Sequence, residues 1–210
     1  MMRTVFSSEL AIALGVALAL AAGACGGPQK PATVPQDPLA TIPAHELFER
    51  GLAFESAGDL IRAEQYMAAS IERGHSEAEV IEPLLRVCLK ASRFGAALVH
   101  AERYLKSHPK DWRMRYLVAT LYVAVGHTSA AEGQLRRVID ERPGEAQPHL
   151  ALAQLYAGIG NERRAARHYR AYLARNADGD DAYAARAWLD DWKQTSHDRR
   201  RKLRRNKRRH

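Results

Sequence analysis

The sequence predicts an all-α protein, a solenoid of helical hairpins closed by a capping helix, and three observations carry that prediction. Between positions 44 and 179 the chain repeats every 34 residues, with Ala63, Ala97, Ala131 and Ala165 marking the period. A fixed period of this length is the signature of stacked supersecondary units. Gly58, Ser92, Gly126 and Gly160 precede those alanines by five residues each time, which places a turn at the same point of every unit. Composition is the third observation: 46% hydrophobic and 27% charged residues suit a chain that buries a core. Two cysteines in 210 residues can build neither a disulfide framework nor a four-ligand zinc site.

The period divides the chain into windows 44–77, 78–111, 112–145 and 146–179. Ile71, Leu105, Ile139 and Leu173 recur eight residues after the alanines, and Phe54, Cys88, Tyr122 and Tyr156 form a further equivalent set. Pro109 and Pro143 close the second and third windows. Within each window the apolar residues fall at helical spacing on both sides of the turn. In the fourth, Leu152, Leu155 and Tyr156 mark one face, Gly160 and Asn161 break the helix, and Ala165, Tyr169, Tyr172 and Leu173 form the next. The small central residue lets two helices approach closely, and the bulky ones fill the space between neighbours.

This pattern resembles the tetratricopeptide repeat (TPR) family, over residues 44–179, and the resemblance implies a right-handed solenoid of four repeats. There are departures. Arg50 stands where Leu is usual in the family, and His75 where Pro is usual, both in the first repeat. Pro83 falls inside the first helix of repeat two and is expected to kink it or delay its start, despite the Ser76-x-x-Glu79 capping box. Residues 180–195, with Trp188 and Trp192 at i, i+4, read as the capping helix that a solenoid needs to shield its last repeat.

Residues 196–210 read as a disordered basic tail. Nine Lys or Arg lie between positions 199 and 210 with no acid; subtracting them from the formal charge of +8 leaves −1 for the rest of the chain. The basicity therefore belongs to a tail and not to a nucleic-acid-binding domain. Arg199, Arg200, Arg201, Lys202, Arg204, Arg205, Lys207, Arg208 and Arg209 are candidates for contact with an anionic surface, such as lipid phosphates or cell-wall carboxylates.

Residues 1–24 read as an export signal: a short start with Arg3, then 13 apolar residues at 10–22, fewer than the roughly 20 that span a bilayer. The run ends Ala22-Gly23-Ala24-Cys25-Gly26, which resembles the lipobox of bacterial lipoproteins and implies acylation of Cys25. Gly26 rather than Asp after the cysteine implies, within that family, the outer membrane. Ala22-Gly23-Ala24 also fits an ordinary signal peptidase site, which would release a soluble periplasmic protein. Five of the nine prolines lie in residues 26–43, so the segment 25–43 is expected to be a semi-rigid spacer of up to about 50 Å between anchor and repeats.

Chemistry is sparse in this sequence. No nucleophile elbow, phosphate loop or Cys-His-acid grouping stands out, and no two of the nine histidines have i, i+4 spacing. His45-Glu46-x-x-Glu49 lacks the second histidine of a zincin helix and reads as a solvated first turn. Cys88 takes a slot that aromatic residues fill in the other repeats and reads as a buried thiol. No catalytic residue, metal or cofactor is expected. A helical solenoid instead offers a concave groove. The resemblance assigns to it Phe48, Leu52 and Glu55; Glu82, Arg86, Leu89 and Lys90; Arg113, Tyr116, Thr120 and Val123; and Gln147, Leu150 and Gln154; by the same phase Trp188 either walls the groove's end or packs against the last repeat. The Lys/Asn carboxylate clamp of co-chaperone TPR proteins is missing, since Phe48 stands at its first position. A groove mixing aromatic and basic residues suggests an extended peptide of a cell-envelope protein, with an apolar anchor and an acidic group meeting Tyr116, Arg86 and Lys90 together.

Overall fold

A computed structural model describes residues 39–207, and among these nine α-helices are arranged as four hairpins and a terminal helix. The hairpins are α1 (Ala44–Ser56) with α2 (Leu60–Glu72), α3 (Glu77–Lys90) with α4 (Phe94–Ser107), α5 (Trp112–Ala124) with α6 (Thr128–Glu141), and α7 (Gln147–Gly158) with α8 (Glu162–Leu173). The terminal helix is α9 (Ala182–Lys207). None of these helices is long and apolar enough to cross a membrane.

The turn inside each hairpin has one chemistry. Gly58, Ser92, Gly126 and Gly160 take φ of 80°, 55°, 81° and 73°, the left-handed conformation that ends a helix in a Schellman motif. In each case the next residue's N–H returns to the carbonyl five residues back: Asp59 to Phe54, Arg93 to Cys88, His127 to Tyr122 and Asn161 to Tyr156, all at 2.8–2.9 Å. At both ends of the series that residue also caps the following helix. The Asp59 carboxylate accepts from the Arg62 N–H at 3.0 Å, and the Asn161 side chain accepts from the Arg164 N–H at 3.3 Å.

The period-marking alanines Ala63, Ala97, Ala131 and Ala165 are completely buried. Close approach is most severe in the first hairpin, where a Cβ on Gly51 would stand 2.7 Å from Met67 Cγ and 3.2 Å from its backbone nitrogen. Two apolar clusters result. One joins repeats one to three around Met67, Leu84, Val87 and Val118, and the other joins repeats three and four to α9 around Leu135, Leu152, Tyr156 and Tyr172.

The departures resolve as follows. Pro83 sits inside α3, yet the helix starts at Glu77 without delay; the Ser76 side chain makes no capping bond. His75, in place of a proline, tilts its ring against Phe48 at 4.9 Å, while Gly74 (φ 90°) ends α2 in the proline's stead. Arg50 stays at the surface, 2.5 Å from Glu46. The largest difference lies at the C-terminus. The cap begins at Ala182 and runs to Lys207, through the segment expected to be disordered. Ala182, Ala185 and Leu189 are buried against the last repeat, and Trp188 packs on Tyr169 with ring centroids 4.8 Å apart. Beyond that contact the helix carries on at its own propensity, since Lys and Arg are good helix formers. The export signal, Cys25, spacer residues 26–38, Arg208 and Arg209 lie outside the described residues, as do the side chains of Arg200, Lys202 and Lys207.

Candidate functional site

The first helices of successive hairpins line two depressions, with α5 as the wall between them. The first, about 580 Å³, lies between α3 and α5. Leu85, Met114 and Leu117 form its apolar surface, and Arg86, Lys90 and Arg113 stand round it with Glu82 and Asp111. Neither Arg86 nor Lys90 is a free cation. Glu55, reaching over from α1, accepts from Arg86 Nε at 2.9 Å, from Arg86 Nη2 at 3.1 Å and from Lys90 Nζ at 2.7 Å. The bonds from Arg86, ahead of Lys90, hold the Glu55 carboxyl down to about 2. Asp111 is likewise committed, capping α5 through the Met114 N–H at 3.0 Å. Arg113 is exposed and lies over the Trp112 ring at 4.9 Å, so it is the cation with most freedom to meet a ligand.

The second depression, about 450 Å³, lies between α5 and α7 and has no charged residue in its lining. Tyr116, Thr120, Val123, Gln154 and Leu155 form it, with Thr128 from the start of α6 and Ile159 from the turn after α7. Val123 is 48% and Ile159 56% exposed, so it presents apolar surface to solvent. Burial pushes the Tyr116 hydroxyl above its ordinary range, so it stays a neutral hydrogen-bonding group. The Thr120 hydroxyl is occupied with the Leu117 carbonyl at 2.8 Å.

Arg86, Lys90 and Arg113 therefore come together, and so do Tyr116, Thr120 and Gln154. The expectation that Arg86 and Lys90 flank the Tyr116 ring in one site is corrected: they line neighbouring depressions. Four other expected groove residues serve packing. Phe48 and Leu52 rest on the first cluster, Leu150 is buried in the second, and Trp188 packs tilted on Tyr169 and runs parallel to Trp192. Leu85, Met114, Leu117, Thr128 and Ile159 were not read from the sequence as site residues. Ile159 carried a signal, being a large apolar residue placed just before a turn glycine.

The structure also overturns the reading that no Cys-His-acid grouping exists. Glu64 of α2, Cys88 of α3 and His100 of α4 bring one ligand-capable atom each to within 4.8 Å of one another. Cys88 is buried as expected, and burial, reinforced by Glu64, pushes its thiol up to about 12. Such a thiol is not an activated nucleophile. A second unforeseen pair is His149 of α7 and His168 of α8, whose Nδ1 atoms lie 3.2 Å apart.

Paired helices and left-handed turns at a fixed interval, with depressions lined by successive first helices, define a helical-hairpin repeat protein, a fold that typically binds proteins rather than catalysing reactions. The family described as protein kinase G tetratricopeptide repeat matches residues 30–188, and the chain belongs to that family. No curated protein matches in sequence. Among solved structures, the chain is similar to YrrB, described as a TPR protein with an unusual peptide-binding site, at 18% identity and TM-score 0.59, covering 69% of this chain and 74% of that one. It is also similar to a tetratricopeptide repeat protein from Parabacteroides merdae ATCC 43184, at 22% identity and TM-score 0.62, covering 72% and 60%. MamA from Desulfovibrio magneticus RS-1 is a third, at 20% identity and TM-score 0.55, covering 65% and 77%. At these identities the likeness is one of fold.

Proposed function

We propose that this protein is a non-enzymatic scaffold of the bacterial cell envelope, anchored through acylated Cys25 and probing the periplasm across its proline-rich spacer. Its concave face takes an extended segment of another envelope protein. The observation that supports this most is the pairing of two depressions across α5, one apolar and uncharged, the other apolar-floored with the exposed Arg113 at its edge beside Arg86 and Lys90, which Glu55 holds. A segment with an apolar side chain in the second and a carboxylate near Arg113 in the first satisfies both. The description of YrrB as carrying a peptide-binding site fits the same reading.

The test is capture of partners from detergent-solubilised envelope by wild type, Tyr116→Ala and Arg113→Glu, at equal helical circular dichroism. Each variant is expected to lose the same captured protein, Tyr116→Ala by roughly thirtyfold in affinity if the ring is an anchor worth about 2 kcal/mol. Arg113 is preferred to Arg86 because charge reversal at Arg86 would set two carboxylates together at Glu55. Identical captured sets would overturn the groove reading.

A second reading rests on α9. Arg201, Arg204 and Arg205 are exposed on a helix, which displays cations to an anionic polymer or bilayer. Arg199 is partly spent on Glu162 at 2.5 Å. Sedimentation of the full chain and of a chain ending at residue 198 with anionic vesicles separates the readings: loss of vesicle binding with partner capture intact confines the tail to attachment.

A further inference from the structure

Three side chains from three helices meet in the core between the first two repeats, and we propose that Glu64, Cys88 and His100 bind one zinc-class divalent ion that pins repeat one to repeat two. The donor set carries the choice of metal. A thiolate sulfur with an imidazole nitrogen suits zinc and its neighbours and is foreign to magnesium or calcium sites. Geometry agrees. Ligand bonds of 2.0–2.3 Å at tetrahedral angles separate neighbouring donors by about 3.3–3.6 Å. His100 Nε2 already stands 3.7 Å from Glu64 Oε1, and all three donors fall within 4.8 Å.

Charge agrees as well. The Cys88 thiolate and the Glu64 carboxylate together offset the two charges of the ion, and His100 coordinates as the neutral ring. Binding forms a metal–sulfur bond and releases the Cys88 thiol proton to solvent. Arg93 is the neighbouring cation, and it holds the outer side of Glu64, with Nη2 3.3 Å from Oε1 and Nε 2.8 Å from Oε2. Oε2 is nevertheless buried without a hydrogen bond, because the Arg93 Nε–H is not aligned with it. Arg93 thus reaches both carboxylate oxygens, while Oε1 also faces His100, and a guanidinium that fixes a carboxylate in this way is the arrangement by which outer groups orient metal ligands.

The repeat provides an internal control. Positions equivalent to Cys88 hold Phe54, Tyr122 and Tyr156; those equivalent to Glu64 hold Leu98, Glu132 and Ala166; those equivalent to His100 hold Tyr66, Gln134 and His168. All three donor types coincide at one junction, where repeat one supplies Glu64 and repeat two supplies Cys88 and His100.

The experiment uses the full chain carrying Cys25→Ser, so that Cys88 is the only thiol, reduced and metal-free, with Co²⁺ and then Zn²⁺ as probes. One equivalent of Co²⁺ is expected to produce sulfur-to-cobalt charge-transfer absorption in the near ultraviolet, and Zn²⁺ to abolish it and raise the melting temperature. Cys88→Ser should remove the band. His100→Gln should weaken Zn²⁺ binding at least about tenfold, the lesser cost found even for outer partners of a metal. Arg93→Ala should keep the band, since the sulfur ligand is untouched, but weaken Zn²⁺ binding by about tenfold, as the loss of an outer partner does. Folded protein that shows no band at stoichiometric Co²⁺ overturns the proposal without recourse to any ligand variant, and makes Arg93 the cation for which Glu64 is buried. Zn²⁺ affinity unchanged by His100→Gln overturns it too, placing the ion elsewhere.

Discussion

Ser92 holds a conformation that its three equivalents give to glycine. Its φ of 55° places its Cβ against backbone in the left-handed region, a cost of about 1–2 kcal/mol that glycine avoids. Glycine gives back part of the gain through the greater freedom of its unfolded chain. Ser92→Gly is therefore expected to stabilise the protein by about 0.5–1 kcal/mol, read as a rise in the midpoint of urea unfolding with no change in its slope. Ala131 tests the opposite side of the same repeat logic. It is completely buried where α5 and α6 pack, so Ala131→Leu should overpack that contact and cost about 1–3 kcal/mol. An unchanged midpoint would refute the register of the third repeat. Both positions are legible in the sequence, because a period fixes which residues must be small or left-handed. The His149–His168 pair is not, because its members are 19 residues apart on facing helices and no other repeat has a histidine at both of the equivalent positions. Burial, followed by the charges of Arg175 and His168, lowers His149 from 6.5 to about 4. The sign follows from linkage: the unfolded chain takes up the proton near 6.5 while the folded one refuses it until about 4. Stability is thus full above 6.5, declines as pH falls between 6.5 and about 4, and levels off below. The fall amounts to on the order of 2 kcal/mol at this site, and His149→Gln should flatten the pH dependence of the melting temperature in that window.

At the scale of the element, α9 divides into two halves with different physics. From Ala182 to Trp192 it is a cap, with Ala182, Ala185 and Leu189 buried, Trp188 on Tyr169, and the Arg170 guanidinium 5.2 Å above the Trp192 ring. Beyond Thr195 the exposed Arg201, Arg204 and Arg205 bury nothing, and Arg199 makes an ion pair with Glu162 that lies largely in water. Exposed pairs contribute between nothing and about 1 kcal/mol. Trp188→Ala is accordingly expected to lower stability by roughly 2–4 kcal/mol, whereas ending the chain at residue 198 should leave the melting temperature within a degree or so. Differential scanning calorimetry on the two variants checks both. The tryptophan spacing announced the cap, but where the helix stops was not legible. Arginine and lysine satisfy helix propensity and the composition of a disordered tail equally well, and nothing in the run RRRKLRR breaks a helix. The groove was half legible for a related reason. Register says which residues lie on the first helix of a hairpin and towards which side. It does not say that Glu55 will reach over from α1 to hold Arg86 and Lys90, nor that α5 will separate them from Tyr116.

The whole molecule is proposed to work by confinement, and that depends on which peptidase processes it. A groove that binds its partner weakly in solution binds it effectively when both are held at one membrane, because the second encounter becomes nearly intramolecular. Acylation at Cys25 would supply that confinement, and the proline-rich segment, if it is the extended spacer of up to about 50 Å that its composition predicts, would set how far the groove can reach. Two processing events fit the same small-residue run, and they part at one substitution. Cys25→Ser removes the sulfur that the acyl chain needs while leaving Ala22-Gly23-Ala24 in place. If lipoprotein processing operates, the variant should accumulate as the uncleaved precursor, without incorporated fatty acid, its mass exceeding that of the mature polypeptide by the whole signal segment. If the ordinary peptidase operates, the variant should be cleaved after residue 24 just as the wild type is, and both should fractionate as soluble periplasmic protein. Metabolic labelling with a fatty-acid analogue and intact-mass measurement of both forms decide between them. Wild-type protein with an unmodified Cys25 at its N-terminus would remove the anchor, and the reach of the spacer would then have no surface to be measured from.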